Sequence, residues 1–120
     1  MVDDEDSILF AMKDYLERDG FHVDGTRSMA EAKLLLCGQT YGAVVSDLNL
    51  DPRHPAQGLD LLAHVRSSQP EMRTILLTAY GSPDIEHRAR ALGVDAVLDK
   101  SEELRAISGV LCALTREPGA

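Results

Sequence analysis

Residues 41–51 read Tyr41-Gly42-Ala43-Val44-Val45-Ser46-Asp47-Leu48-Asn49-Leu50-Asp51. A short apolar run with adjacent β-branched residues, Val44 and Val45, leads straight to an acid. Such a run reads as a strand buried on both faces, as in a parallel sheet. An acid at the carboxyl end of that strand sits where open α/β sheets bind ligands. This reading makes Asp47 an acceptor of a phosphoryl group, with other groups placed around it.

Outward from this strand, apolar runs alternate with amphipathic segments, which predicts βαβ units around a parallel sheet. Met1-Val2 precedes Asp3-Asp4-Glu5-Asp6, too little for a proper central strand. Either upstream residues are missing or the first strand is a stub. Helix one is expected from about Asp6 to Asp19 on Ile8, Met12, Tyr15 and Leu16, with Gly20 just past its end. Phe21-His22-Val23-Asp24 alternates like an edge strand. Ser28 and Glu31 form a capping box for helix two, which runs through Leu36 and is closed by Gly38. Pro52 and Pro55 forbid regular structure after Asp51. Helix three follows on Leu61, Leu62 and Val65 and ends before Pro70.

Strand four is Thr74-Ile75-Leu76-Leu77, ending at Thr78. Ser82-Pro83 starts helix four, whose inner stripe is Ile85, Ala89 and Leu92, with Gly93 as the stop. Strand five runs from Val94 to Leu98 and ends at Asp99-Lys100. Ser101 is expected to cap helix five, whose stripe is Leu104, Ile107, Leu111 and Leu114. The tail Glu117–Ala120 is expected to fray.

The chain has 120 residues, 44% hydrophobic and 27% charged, which suits one ordinary domain over 1–120. A net charge of -8 argues against direct nucleic-acid binding, which wants a basic face. No apolar run approaches the roughly 18 residues of a membrane span, and no signal peptide is visible. Cys37 and Cys112 lie in apolar segments without metal-ligand spacing. They read as small buried hydrophobes in a reducing, cytoplasmic setting.

The strand ends carry the chemistry. In a doubly wound sheet of order 2-1-3-4-5, strand one ends in Asp3-Asp4, strand three in Asp47, strand four in Thr78 and strand five in Lys100. Strand two, at the edge, ends in Gly25-Thr26. Two like charges ~4 Å apart cost about 4 kcal/mol at an effective dielectric near 20, so three carboxylates in one crevice call for a cation. An all-oxygen site suits Mg²⁺, and no Cys or His is placed for zinc. Asp47 is then the nucleophile, Asp3 and Asp4 metal ligands, Lys100 a partner for Asp47 and later for a phosphoryl oxygen, and Thr78 a hydroxyl donor. Glu5 and Asp6 read as helix-start acids, with Glu5 also a candidate for supporting the site. Asp51 reads as a turn acid, His54 as solvent-exposed, and Tyr80 as either a surface aromatic or a lid over the acyl phosphate.

Val2-Asp3-Asp4-Glu5, Val45-Ser46-Asp47-Leu48, Leu77-Thr78-Ala79 and Leu98-Asp99-Lys100 together resemble the receiver domains of two-component response regulators, such as the bacterial chemotaxis regulator. The resemblance implies a flavodoxin-like (βα)5 fold with five parallel strands, the first truncated here. It implies a phosphoacceptor signalling domain rather than an enzyme, assisting only its own phosphorylation and dephosphorylation. It implies a histidine kinase or phosphotransfer protein as donor to Asp47, and Mg²⁺ held by the acid pair, Asp47 and the Asn49 backbone carbonyl. Output is expected through a protein target or an output domain outside this chain, without membrane or direct nucleic-acid contact.

Three features depart from the family pattern. Ser101 replaces the usual Pro after the Lys, Val97 replaces the switch aromatic, and the loop from Asp47 to Gly58 is longer than usual. The alternative is a degenerate receiver acting as a phosphorylation-independent binding module. A haloacid-dehalogenase-like phosphatase would want an acid where Asn49 stands. An FMN-binding flavodoxin would want a phosphate loop where Asp3-Asp4-Glu5-Asp6 stands.

Overall fold

A computed structural model describes residues 1–79 and 81–115. Three strands form a parallel sheet in the order β1 (Ala43–Asp47), β2 (Arg73–Thr78), β3 (Ala96–Asp99). These are the expected third, fourth and fifth strands. The expected first strand is reduced to Val2, which bridges in parallel to Thr26 on one side and to Ser46 on the other. The spatial order 2-1-3-4-5 therefore stands, with its first two members shrunk to single bridges. Phe21–Asp24 forms no strand, because a ladder needs a partner and Val2 is too short to supply one.

Alternation along the strands divides the core in two. Val44 and Leu76 face one side, under α2 (Met29–Gly38), α3 (Gln57–Ser68) and α4 (Pro83–Ala91), where Ala32, Leu59, Leu62, Val65 and Ala89 pack. Val45, Ile75 and Leu77 face the other, under α1 (Asp6–Arg18) and α5 (Leu104–Thr115), with Met12, Leu16, Ile107 and Leu111. Helices on both faces explain why β1 and β2 are apolar without a polar side. Each fully buried Leu, such as Leu61, Leu62 or Leu76, contributes roughly 1.5–3 kcal/mol by leaving water.

The helix signals mostly act as expected. Ser28 Oγ accepts from the Glu31 N–H at 3.2 Å, and Ser82 Oγ from the Ile85 N–H at 3.2 Å. Gly93 ends α4 at φ +84°. Gly38 is instead the last residue of α2, with Gln39 beyond it. Leu92, at the C-cap of α4, is 40% exposed and does not belong to the inner stripe. Ser101 does not cap α5: it lies in a turn in which its N–H donates to Asp99 Oδ1 at 2.8 Å and the Glu102 N–H to Asp99 O at 3.0 Å. That turn delays the helix to Leu104. Cys37 and Cys112 are both exposed, contrary to the buried reading, because each lies on the outward side of its helix. The expectations for Tyr80 and for the tail Glu117–Ala120 lie outside the described residues.

Candidate functional site

The carboxyl ends of the strands bring Asp3, Asp47, Thr78 and Lys100 to one edge of the sheet. Asp3 is carried by the Val2 bridge: its N–H donates to Thr26 O at 3.0 Å, while the Asp47 N–H donates to Val2 O at 2.8 Å. Lys100 follows β3 and is fixed to the end of β2, its N–H donating to Thr78 O at 3.0 Å. Backbone bonds thus set the spacing of the side chains above them.

The Lys100 ammonium lies 3.1 Å from Asp3 Oδ2, 3.2 Å from Asp47 Oδ1 and 3.7 Å from Glu5 Oε1. Asp3 is fully buried, Asp47 is 6% exposed, and Thr78 is buried. Asp3 Oδ1 accepts the Glu5 N–H at 2.9 Å. Asp3 Oδ2 faces the ammonium without the alignment of a hydrogen bond. Glu5, a helix-start acid by sequence, also reaches the lysine.

Asp4 is exposed, yet one carboxylate oxygen from each of Asp3, Asp4 and Asp47 lies within 4.8 Å of the others. The donor set is oxygen only, and one member is a buried, imperfectly bonded carboxylate oxygen. That chemistry fits a hard divalent cation. Asp4, Asp47, Asn49, Thr78 and Lys100 line an open hollow of about 370 Å³.

Burial pushes the Asp47 carboxyl up to about 6, with the Asp3 charge adding to the effect and Lys100 opposing it. Burial alone would lower the Lys100 ammonium, but Asp3 and Asp47 together outweigh it and hold the pKa above its usual value. The side chains thus set one cation against neighbouring acids.

The loop after β1 contains features that sequence reasoning missed. Asn49 Oδ1 accepts the Ala56 N–H at 3.2 Å, and Ala56 has φ 61°. Gly58 donates its N–H to Leu48 O at 2.8 Å. A Cβ on Gly58 would overlap the Asp47 carbonyl oxygen and lie 2.9 Å from Leu48 Cα. A Gly at the end of a Pro-rich loop signals a turn but not which backbone it must approach. Asp51 turns to Arg53, accepting its N–H at 2.9 Å and its Nη2 at 3.1 Å, and these bonds hold its carboxyl below the usual range. It is the turn acid expected, and His54 is exposed.

The sequence profile of the response regulator receiver domain matches residues 1–111. The chain belongs to that family, the phosphoacceptor signalling domains of two-component systems. Among similar proteins, the alginate biosynthesis transcriptional regulatory protein AlgB of Pseudomonas putida is 37% identical over 84 residues, which are 70% of this chain and 18% of that protein. The photosynthetic apparatus regulatory protein RegA of Cereibacter sphaeroides is 27% identical over 113 residues, 94% of this chain and 60% of that protein. The chain thus spans less than two thirds of either relative. A crystal structure of a response regulator protein from Burkholderia pseudomallei, with a phosphorylated aspartic acid, calcium ion and citrate, superposes with a TM-score of 0.82 at 29% identity. That alignment covers 94% of this chain and 63% of the other. No helix among the described residues is long and apolar enough to cross a membrane.

Proposed function

We propose that Asp47 is the phosphoacceptor, that Asp3, Asp4, Asp47 and the Asn49 backbone carbonyl hold Mg²⁺, and that Lys100 and Thr78 receive the phosphoryl oxygens. The observation that carries the reading is the shared Lys100 ammonium, 3.1 Å from Asp3 and 3.2 Å from Asp47. One cation joins a buried acid from the start of the chain to the acid that ends β1.

An ionised Asp47 oxygen attacks the phosphorus of a phosphohistidine on a histidine kinase or phosphotransfer protein. The P–O bond forms as the P–N bond breaks, and the leaving imidazole nitrogen keeps that electron pair. Bound Mg²⁺ supplies charge neutralisation for the phosphoryl oxygens. Lys100 is placed to leave the Asp47 oxygen that reacts and follow the new negative charge. The Thr78 hydroxyl, at the end of β2 beside the hollow, donates to another oxygen. The added charge, roughly -1.5 to -2, draws Thr78 and the following loop inward and alters partner binding. The domain works in the cytoplasm, beside its kinase, and passes the signal to a protein target or an output domain outside residues 1–120.

The second reading, a phosphorylation-independent binding module, is favoured by one position. Val97 is half-buried and packs against the core, so no aromatic there can swing inward with Thr78.

Acetyl phosphate with Mg²⁺ distinguishes the readings. Wild type should gain a phosphoryl mass that hydroxylamine removes, and Asp47→Ala should not. Amide NMR shifts near Thr78 should move with beryllofluoride. Equal modification of both proteins would refute the acceptor assignment, and modification without NMR change would favour the second reading.

A further inference from the structure

The hollow above Asp47 is lined by charged and polar side chains, with two apolar exceptions among the described residues, Pro52 and Ala79. Ala79 directly follows Thr78 at the end of β2. Pro52 comes from the loop between β1 and α3 and is exposed, so its ring stands on the open side of the hollow. Asp4 and Glu5, also exposed there, are charged and carry water.

Asp51-Pro52-Arg53-His54 builds the turn that carries this ring. Aspartate suits the first position of a β-turn, and the fixed φ of proline suits the second. The turn closes with the His54 N–H donating to Asp51 O at 3.0 Å. The Asp51 carboxylate folds back over it. Its Oδ1 accepts the Arg53 N–H at 2.9 Å and Nε at 3.3 Å, and its Oδ2 accepts Nη2 at 3.1 Å. An exposed pair of this kind adds little to global stability. Its effect is local, because main chain and side chain tie the same turn. The feet of the loop are held as well. Leu50 and Ala56 are buried, Asn49 Oδ1 accepts the Ala56 N–H, and the Gly58 N–H donates to Leu48 O. A ring on such a support keeps its place.

Asp47 is buried at the floor of the hollow, so a phosphoryl group on it projects toward the open side. Hydrolysis of that group needs a water in line with the bond that breaks. The water oxygen bonds to phosphorus as the bond from phosphorus to the Asp47 oxygen breaks. The carboxylate keeps that electron pair, and both water protons stay with the departing phosphate. On the reading of Asp47 as the phosphoacceptor, we propose that the Pro52 ring walls off part of the water's approach and so lengthens the life of the acyl phosphate, with Asp51 and Arg53 as the positioning residues that hold the ring. Proline suits the task. It has no N–H and no polar side-chain atom with which to order an attacking water. Its ring is rigid, and it faces a hollow whose other exposed members are mostly hydrated.

The test is the half-life of the phosphorylated chain, labelled with acetyl phosphate and Mg²⁺, freed of donor and followed by intact mass. Pro52→Gly removes the ring and should shorten the half-life by about threefold or more. Arg53→Gln keeps the ring but frees its support, and should shorten the half-life by a smaller factor. Pro52→Val restores an apolar side chain of similar bulk and should recover most of the wild-type half-life. Urea midpoints check that each variant is folded. A wild type labelled at Asp47 whose half-life is unchanged by Pro52→Gly overturns this inference and leaves the acceptor reading intact. A half-life for Pro52→Val as short as that for Pro52→Gly overturns it too, because the effect then belongs to the loop backbone and not to the ring. Equal labelling of wild type and Asp47→Ala removes the acceptor reading and this inference with it.

Discussion

Gly58 lies against the backbone of Asp47 so closely that a Cβ would overlap the Asp47 carbonyl oxygen and approach Leu48 Cα to 2.9 Å. The neighbouring atoms are main chain, which cannot turn aside as a flexible side chain would. Gly58→Ala should therefore displace the end of β1 and cost about 3 kcal/mol or more, at the upper end of overpacking losses. Acetyl-phosphate labelling of Asp47 should fall with it. Gly109, in the interior of α5, is the control, since nothing lies within 4 Å of its Cβ direction. Gly109→Ala should stabilise by about 0.5–1 kcal/mol through helix propensity. Urea unfolding midpoints of both variants check the contrast, and similar values would mean that the close approach carries no constraint.

The Lys100 side chain is 10% exposed and faces two buried acids. Removing one partner of a buried ion cluster leaves uncompensated charge, which typically costs 3–5 kcal/mol. Lys100→Ala should lose about 3 kcal/mol at neutral pH without divalent metal. Its Asp47 should titrate above the wild-type value of about 6, since the opposing cation is gone. The loss should shrink toward pH 5 as Asp47 takes up a proton, and shrink again with saturating Mg²⁺. Urea titrations at both pH values, with EDTA or Mg²⁺, read this directly. A loss independent of pH and metal would make Lys100 a packing residue.

Asn49 ties the loop back on itself through Oδ1 to the Ala56 N–H at 3.2 Å. That bond supports Ala56 at φ 61°, a left-handed conformation that an alanine does not adopt freely. Asn49→Ala should cost about 1 kcal/mol, the net worth of an ordinary hydrogen bond plus the exposed strain. Asn49→Asp keeps the acceptor and should lose less stability, while adding a fourth acid beside the hollow. Chemical denaturation of the two variants separates the hydrogen bond from the charge. Equal losses would show that the bond contributes nothing.

The grouping of the strand-end side chains was more legible in the sequence than the sheet was. That Asp3, Asp47, Thr78 and Lys100 gather at one edge is legible because each ends an apolar run, and parallel topology brings run ends together. Phe21–Asp24 has the alternation of a strand but forms none, because the one bridge on that side of Val2 goes to Thr26 beyond it. Ser101 looks like a cap, yet α5 begins only at Leu104, which leaves Ser101 two residues ahead of the capping position. The exposure of Cys37 and Cys112 depends on which way a short helix is rotated, and neighbouring apolar residues disguise it. The contact of Gly58 with Asp47 is a tertiary approach across a loop, which no local pattern encodes.

Asp47 offers the clearest pH signature. Its folded-state carboxyl is raised from 3.8 to about 6, by burial first and by Asp3 second. A raised carboxyl means that the folded state favours the protonated form. Its contribution to stability is fully present below about 4 and is lost as pH rises through 6. Above pH 6, metal-free wild type carries the penalty of an ionised, buried acid beside Asp3. Asp47→Asn removes that penalty while giving up the 3.2 Å pair with Lys100. The variant should be more stable than wild type by about 1–2 kcal/mol at pH 7.5 in EDTA, with the advantage vanishing near pH 4. Mg²⁺ should reverse the order, because wild type alone keeps all three clustered carboxylates. At a hundred times its dissociation constant, the ion adds about 2.7 kcal/mol to the protein that binds it, which exceeds the advantage it must overcome. Thermal unfolding of both proteins across pH 4–8, with EDTA and with Mg²⁺, gives the comparison. An Asn variant less stable than wild type in EDTA at pH 7.5 would show that the Lys100 pair outweighs the burial of the charge.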